Sequence, residues 1–413
     1  MLEFLRILYI ILFSGTVIFL ISRKKFPVGI TILFISIGIL VYLAVPLDII
    51  RKILFQTFQN YLMYKLMVVI FLILFFSKLL KEIGLLDEAV FVLEKSFNNK
   101  SKILPVFPAL IGLLPMPGGA MFSAPMVRSI TNNMEIRNED KTFINYWFRH
   151  MWEPILPLYP GFILQLELVI AVTNHSNAIL RILLWQLPIT ILIFLGGYIF
   201  KLRSFSKKQS NNNTLNLKNI YSLLKKIWSI LLLIFLVIFF NRIDFALLIA
   251  CVTILTALIY FKKLSTELIF KILKDSLSVM IVVLIFAVFF FQSTMEGTGV
   301  LNEISFFLSN SGIPIAIVIF VIPLIIGVLS GLTITFIAIT FPLIIPLIST
   351  PEFSYNLIAL AFLGGYFGVL LSPVHLCLVL TNEYFESHLN KVYFLLFKSM
   401  LLAGIYGIFL SLI

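Results

Sequence analysis

The chain has 413 residues, of which 61% are hydrophobic and 12% are charged, with a mean hydropathy of +1.09. A soluble domain carries about 25% charged residues, so the composition excludes a water-soluble globular protein and leaves a polytopic membrane protein. The net charge of +12 does not point to nucleic acid, because the basic residues sit in short segments between apolar runs, as the positive-inside rule requires.

Crossing a bilayer takes about 20 apolar residues. Spans are expected near 3–22, 27–48, 57–80, 142–172, 179–200, 227–241, 244–261, 277–295, 355–381 and 392–413. The first reads as a retained span, with no cleavable signal peptide. The segments 101–127 and 313–349 read as re-entrant hairpins, each with two arms and a broken tip. If the N-terminus is outside, the segments 23–25, 78–102, 128–149, 201–226, 262–274 and 382–398 are cytoplasmic and hold 25 of the 31 Lys and Arg residues. The positive-inside rule favours this orientation, with both termini outside. Segment 201–226 is basic, without an acid, and Ser204 to Asn216 is rich in Ser and Asn. It reads as a linker between an N-terminal repeat, 1–200, and a C-terminal repeat, 227–413. Cys251 and Cys377 lie in apolar runs, so free thiols are expected, with no disulfide or metal framework and no cofactor.

In chain order, the first unusual stretch is Ile111 to Val127, IGLLPMPGGAMFSAPMV. Pro115, Pro117, Gly118, Gly119 and Pro125 forbid a straight helix, and at membrane depth a broken backbone survives only inside protein or beside a watery cavity. Next comes Tyr146 to Gly161, YWFRHMWEPILPLYPG, where Pro154, Pro157 and Pro160 should open a helix near Glu153–Pro160. Ile326 to Ile344, IGVLSGLTITFIAITFPLI, breaks at Ser330–Gly331 and carries Thr333 and Thr335 at its tip. Gly364 to Leu378, GGYFGVLLSPVHLCL, is interrupted at Ser372–Pro373. Residues 75–114 laid on 290–329 give 13 identities in 40 positions, among them Gly84/Gly299, Glu88/Glu303, Pro108/Pro323 and Gly112/Gly327. One unit is therefore used twice. Each half has five crossings and a hairpin, and an odd number inserts the second half upside down. The expected fold is all-α, two inverted repeats with a site at the midplane between them.

Several side chains are candidates for that site. Glu153 is the only acid expected deep in a span. It reads as a coupling-ion ligand or proton carrier, or as the partner of Arg149 one turn earlier. His375 can protonate near neutral pH or bond a substrate, or be a satisfied buried histidine. His150 is expected nearer the cytoplasmic end. Ser123, Ser330, Thr333, Thr335 and Ser372 offer hydroxyl ligands as a set, although each can also bond helix backbone. Pro117, Gly118, Gly119 and Gly331 shape the tips. No Arg or Lys is expected at a tip, so a small anion would be held by half-helix N-termini and hydroxyls.

The motifs PMPGGAMFSAPMV and GYFGVLLSPVHLCLVLTNEYF, set in this plan of hairpin plus broken helix used twice, resemble the ion-transporter superfamily, and most closely a prokaryotic branch of it. That group includes divalent-anion/sodium symporters, gluconate and citrate permeases, and arsenite and sodium/proton antiporters. The resemblance implies secondary active transport of a small anionic solute across the cytoplasmic membrane, coupled to H⁺ or Na⁺. It also implies a homodimer, in which hairpins and broken helices slide like an elevator against a dimeric scaffold. The symporters carry a Ser-Asn-Thr motif at each tip. Here the tips read Pro117-Gly118-Gly119-Ala120 and Ser330-Gly331-Leu332-Thr333, without asparagine, so sodium and dicarboxylate binding do not carry over. Two alternatives are an intramembrane serine hydrolase using Ser330 and His375 and a passive channel. The transporter reading implies no enzyme activity.

Overall fold

The computed structural model describes residues 28–85, 88–89, 91–92, 103–115, 119–132, 134–173, 177–203, 217–240, 246–300, 303, 312–349 and 352–413. The expected span 3–22, the tip residues Pro117 and Gly118, and Ser204 to Asn216 lie outside the described residues. Among those described there are helices and no strands, and the chain is an all-α polytopic membrane protein. Six helical stretches are long and apolar enough to cross a bilayer, and five more apolar helices are shorter.

The first half contains α1 (Val28–Tyr42), α2 (Leu47–Gln59), α3 (Tyr61–Glu82), the hairpin arms α4 (Val106–Ile111) and α5 (Ala120–Thr131), then α6 (Asn138–His150), α7 (Pro160–Thr173) and α8 (Ala178–Gly197). After α9 (Leu217–Phe239) the second half contains α10 (Ala246–Lys262), α11 (Thr266–Ser276) and α12 (Val279–Gly297). It continues with the arms α13 (Ile315–Ser330) and α14 (Thr333–Leu347), then α15 (Tyr355–Leu371), α16 (Leu376–Phe385) and α17 (Leu389–Leu412). An offset of 215 residues carries α1 through α8 onto α10 through α17 in order. Gly84 and Gly299, one residue past the C-caps of α3 and α12, are both left-handed, at φ 68° and 74°. The chain turns out of each helix with the conformation glycine adopts without cost.

The packing follows the same exchange. α1 packs on α12 and α10 on α3; α2 packs on α12 and α11 on α3; α4 packs on α6 and α13 on α15; α7 packs on α14 and α16 on α5. Swapping each helix for its counterpart turns every one of these contacts into another. The exchange is not complete: α7 packs on α3 and α8, α14 on α12, and α16 on α6, and their counterparts do not do so to the same extent.

Two short helices had not stood out among the apolar runs. α2 and α11 are amphipathic, burying Ile53 and Thr57 and Ile272 and Ser276 respectively, while Phe55 and Phe270 stay exposed. Such helices lie along an interface rather than across it. The expected span 27–48 accordingly stops at Tyr42, and Pro46 caps α2. Backbone contact between hairpins and broken helices is close: a Cβ on Gly112 would sit 2.1 Å from the Arg149 carbonyl oxygen, and one on Gly327 would sit 2.3 Å from that of Gly365. The start of α6 is pinned by Asp140, which binds Arg137 at 3.1 Å and Lys201 at 2.5 Å.

Candidate functional site

Four interruptions in helix face one another, and proline chemistry sets two of them. Pro154 has no amide proton, and its ring clashes with the carbonyl four residues earlier. That residue is His150, and α6 stops there, three residues ahead of the expected opening. The chain turns past Pro154 and Pro157 and resumes as α7 at Pro160, a first-turn position where no amide donor is needed. Ser372 is extended, at φ −70° and ψ 124°, as a residue before proline is forced to be. α15 therefore ends at Leu371, and α16 starts after Pro373 with His375 as its N-cap.

The carbonyls freed at each break are capped from the other broken helix. The Tyr366 hydroxyl donates to the His150 carbonyl at 2.9 Å, and the Tyr146 hydroxyl donates to that of Leu370 at 3.2 Å. A buried carbonyl left without a partner costs about 1–3 kcal/mol, so this reciprocal pair holds both breaks open.

The tips close on these breaks. Gly331 is left-handed, at φ 65°, and a Cβ there would lie 3.0 Å from His375 Cα and from Ser372 Oγ. Ser372 donates to the Val328 carbonyl at 2.6 Å, tying the second break to the arm before the second tip. At the first tip, a Cβ on Gly119 would lie 2.1 Å from the Arg149 guanidinium, so the bare glycine makes room for the cation. Asn145 donates to the Ala120 carbonyl at 3.0 Å and to the Thr381 hydroxyl at 3.2 Å, joining α5, α6 and α16. Gly161 abuts the Thr333 methyl carbon, bringing the starts of α7 and α14 together.

Arg149, His150, Glu153, His375 and Cys377 are all buried at this junction. The Thr333 hydroxyl donates to Glu153 Oε2, and Glu153 Oε1 lies 4.0 Å from His150 Nε2. His150 Nε2 and His375 Nε2 are 3.0 Å apart. Their Nδ1 atoms face the Tyr146 carbonyl at 2.6 Å and the Gly331 carbonyl at 2.5 Å. The Tyr146 ring lies against both imidazoles, with centroids 4.6 and 5.4 Å away. Arg149 Nη1 points at Cys377 Sγ, 3.5 Å away. A polar chain thus runs from Thr333 through Glu153, His150 and His375 back to Gly331, beginning and ending at the second tip. A guanidinium beside helix N-termini suits an anion, and a carboxylate beside a hydroxyl suits a hard cation.

Of the residues singled out in the sequence, Gly119, Glu153, Gly331, Thr333, Ser372 and His375 meet at this junction. Ser123 is buried in α5 with its hydroxyl on the Ala120 carbonyl at 3.3 Å. The Thr335 hydroxyl is buried and has no hydrogen-bond partner among the described residues. Ser330 Oγ accepts from the Leu332 amide at 3.5 Å, while both His375 nitrogens are engaged by Gly331 and His150, so no serine–histidine pair forms.

Four expectations change. Glu153 engages Thr333 and approaches His150 rather than pairing with Arg149. Arg149 leaves the basic loop segment in which it was counted and reaches the first tip, which brings a cation where none was expected. His150 is a buried partner of His375, not a residue of the cytoplasmic end. Glu153 is not the only deep acid: Glu167 on α7 is buried and meets Lys65 of α3 at 3.1 Å. Single charges inside apolar spans, Lys65 and Glu167, were the available signal for that pair. A histidine beside each proline break was the signal for the other.

Residues 6–413 match the model of a family described as protein of unknown function (DUF401). No curated protein matches the chain.

Proposed function

The chain belongs to the DUF401 family, and from that premise we propose that it is a secondary active transporter of a small anionic solute. The driving gradient is H⁺ or Na⁺, and the solute crosses the cytoplasmic membrane by an elevator-type alternation between two faces. The observation that carries this reading is the convergence of two hairpin tips and two broken helices on one buried charged cluster. Broken backbone at membrane depth belongs beside a cavity, and ion-coupled transporters place their site at such a crossing. Arg149, with the starts of α5 and α16 beside it, supplies the anion's partner. Glu153 with Thr333 supplies the ligands for the coupling ion.

The helix exchange supports two repeats, 1–200 and 227–413, that arose by duplication, and the odd number of spans expected in each supports their inversion. Where the exchange fails, as at α7 on α3 and α14 on α12, the fold departs from two-fold symmetry. Alternating access requires such a departure, since the opposite state exchanges those contacts for their counterparts. The family resemblance supports a homodimer in which α4–α7 and α13–α16 form the moving part. The termini are outside, and no enzymatic step is involved.

The test is thermal unfolding of purified protein in detergent, in sodium against choline chloride, with a panel of small carboxylates and inorganic anions. A ligand of the folded state raises the midpoint by mass action, by about 2.7 kcal/mol at 100 times its Kd. An anion that stabilises the wild type but not Arg149→Gln, and that enters proteoliposomes against its gradient, is the expected result. A wild type indifferent to every anion, with solute movement that never saturates, would leave the channel reading in its place.

A further inference from the structure

The strongest unassigned feature is the arrangement of His150, His375 and Cys377. Their ligand atoms all lie within 4.8 Å of one another, and all three residues are buried. Each Nδ1 faces a backbone carbonyl, at 2.6 Å for His150 and 2.5 Å for His375. A carbonyl only accepts, so each Nδ1 must carry the ring proton. In the neutral imidazoles both Nε2 atoms are then bare lone pairs, and they point at each other across 3.0 Å. Two lone pairs at that distance repel. The geometry calls for a positive centre held between them.

A proton on one ring would satisfy two nitrogens. It would not account for the thiol of Cys377, which completes the triangle on the first turn of α16. A histidine that ligates a metal almost always donates its other ring N–H to a carbonyl or carboxylate, and that second bond aims the free nitrogen. Both imidazoles show this pattern. Two nitrogens and one sulfur select a borderline-soft divalent ion over Na⁺, Mg²⁺ or Ca²⁺, which take oxygen ligands. A tetrahedral ion with Zn–N bonds of about 2.0–2.1 Å sets its nitrogens about 3.3 Å apart, so seating it moves the rings by a few tenths of an ångström. Negative charge on Cys377 Sγ has the Arg149 guanidinium beside it at 3.5 Å, and Glu153 Oε1 stands 4.0 Å from His150 Nε2.

We propose that His150 Nε2, His375 Nε2 and Cys377 Sγ form a binding site for one thiophilic divalent d-block cation of the zinc class, with a fourth coordination position left to water or solute. The ligands come from α6 and α16, and the carbonyl that aims His375 comes from the second hairpin tip. The metal therefore ties both broken helices to that tip. Binding releases the thiol proton, so the loaded site is a thiolate complex. This inference rests on side-chain geometry and does not depend on the transport reading.

Full-length protein in detergent, stripped with a chelator, is titrated with Co²⁺ and followed by absorption. We expect one cobalt per chain, visible d–d bands of tetrahedral intensity, and a near-ultraviolet sulfur-to-cobalt charge-transfer band. Cys377→Ser removes the charge-transfer band, and His150→Gln and His375→Gln each weaken binding by more than about 100-fold, beyond the loss from an outer-shell change. Cys251→Ser, at a buried thiol on α10, leaves the spectrum unchanged. Should the ligand variants fail to fold, the wild type still decides the matter, since Zn²⁺ must raise its unfolding midpoint and a chelator must reverse the rise. Folded wild type with no cobalt bands and no zinc-dependent midpoint would mean that the two histidines share only a proton, and would overturn the proposal. So would a charge-transfer band that survives Cys377→Ser. Anion stabilisation is read separately and without metal, so either result leaves the transporter reading to its own test.

Discussion

Removing one partner of the Lys65–Glu167 pair is the sharpest perturbation of the fold. The two charges meet at 3.1 Å, and their side chains are 7% and 6% exposed, so water screens them little. At an effective dielectric of about 20 their attraction is about 5 kcal/mol, set against a desolvation cost of several kcal/mol per ion. The net value of the pair is therefore small, while loss of one member is costly: Lys65→Met or Glu167→Gln alone should destabilise by about 3–5 kcal/mol, because a buried charge loses its counterion. The double variant should recover most of that loss, since two apolar or neutral groups of similar volume cost little. The assay is a double-mutant cycle on unfolding in a mild detergent, read by denaturant midpoint and by near-ultraviolet circular dichroism, with a coupling of several kcal/mol expected. Strict additivity of the two single losses, or single variants as stable as the wild type, would show that the two charges are solvated and that α7 is not held to α3 by this contact.

Other consequences can be checked with single variants. Gly368→Ala would place a Cβ 2.1 Å from the Leu324 carbonyl oxygen, backbone against backbone, and should cost about 3 kcal/mol. Gly404→Ala meets nothing nearer than 3.9 Å and should be neutral or slightly stabilising, since alanine is the better helix former; paired unfolding midpoints compare the two. Gly119→Ala places its Cβ 2.1 Å from the guanidinium end of Arg149, a side chain rather than backbone, so it should cost about 1 kcal/mol while sharply reducing anion-dependent stabilisation and uptake. The hydrogen bond from Lys226 holds the Glu88 carboxyl below its ordinary value. The unfolded chain then binds the proton first as pH falls, so the stabilisation is present above the ordinary carboxylate range and disappears as pH drops through the folded-state value. Midpoints of the wild type and Glu88→Gln should converge in that acid window. The gap above it should be small and should shrink with salt, because the pair is partly exposed.

Much of the architecture is written in local chemistry. Proline without a donor ends α6 at His150 and holds Ser372 extended, and these effects act over four residues or fewer, so the breaks are legible wherever the prolines stand. Hydropathy marks the spans for a similar reason: a bilayer of fixed thickness imposes a length. The 215-residue offset is visible because glycine and proline at matched positions do backbone work that few other residues can do, as the left-handed Gly84 and Gly299 show. The amphipathic α2 and α11 were missed because their charges interrupt the apolar runs by which spans are recognised.

What the sequence by itself determined is an all-α membrane chain, the places where its helices break and the 215-residue offset that relates its two halves. Only the tertiary structure decided which side chains meet there. Glu153 has Arg149 one turn away along the chain, but it lies against Thr333, 180 residues distant, and His150 finds His375 at a separation of 225. Those partners are set by how two broken helices cross and by the hydroxyls of Tyr146 and Tyr366 that cap each other's open turns. A linear sequence carries helical period and turn chemistry, but no rotation of one helix against another. That rotation turned Arg149 to the first tip, and it brought His150, His375 and Cys377 to one point.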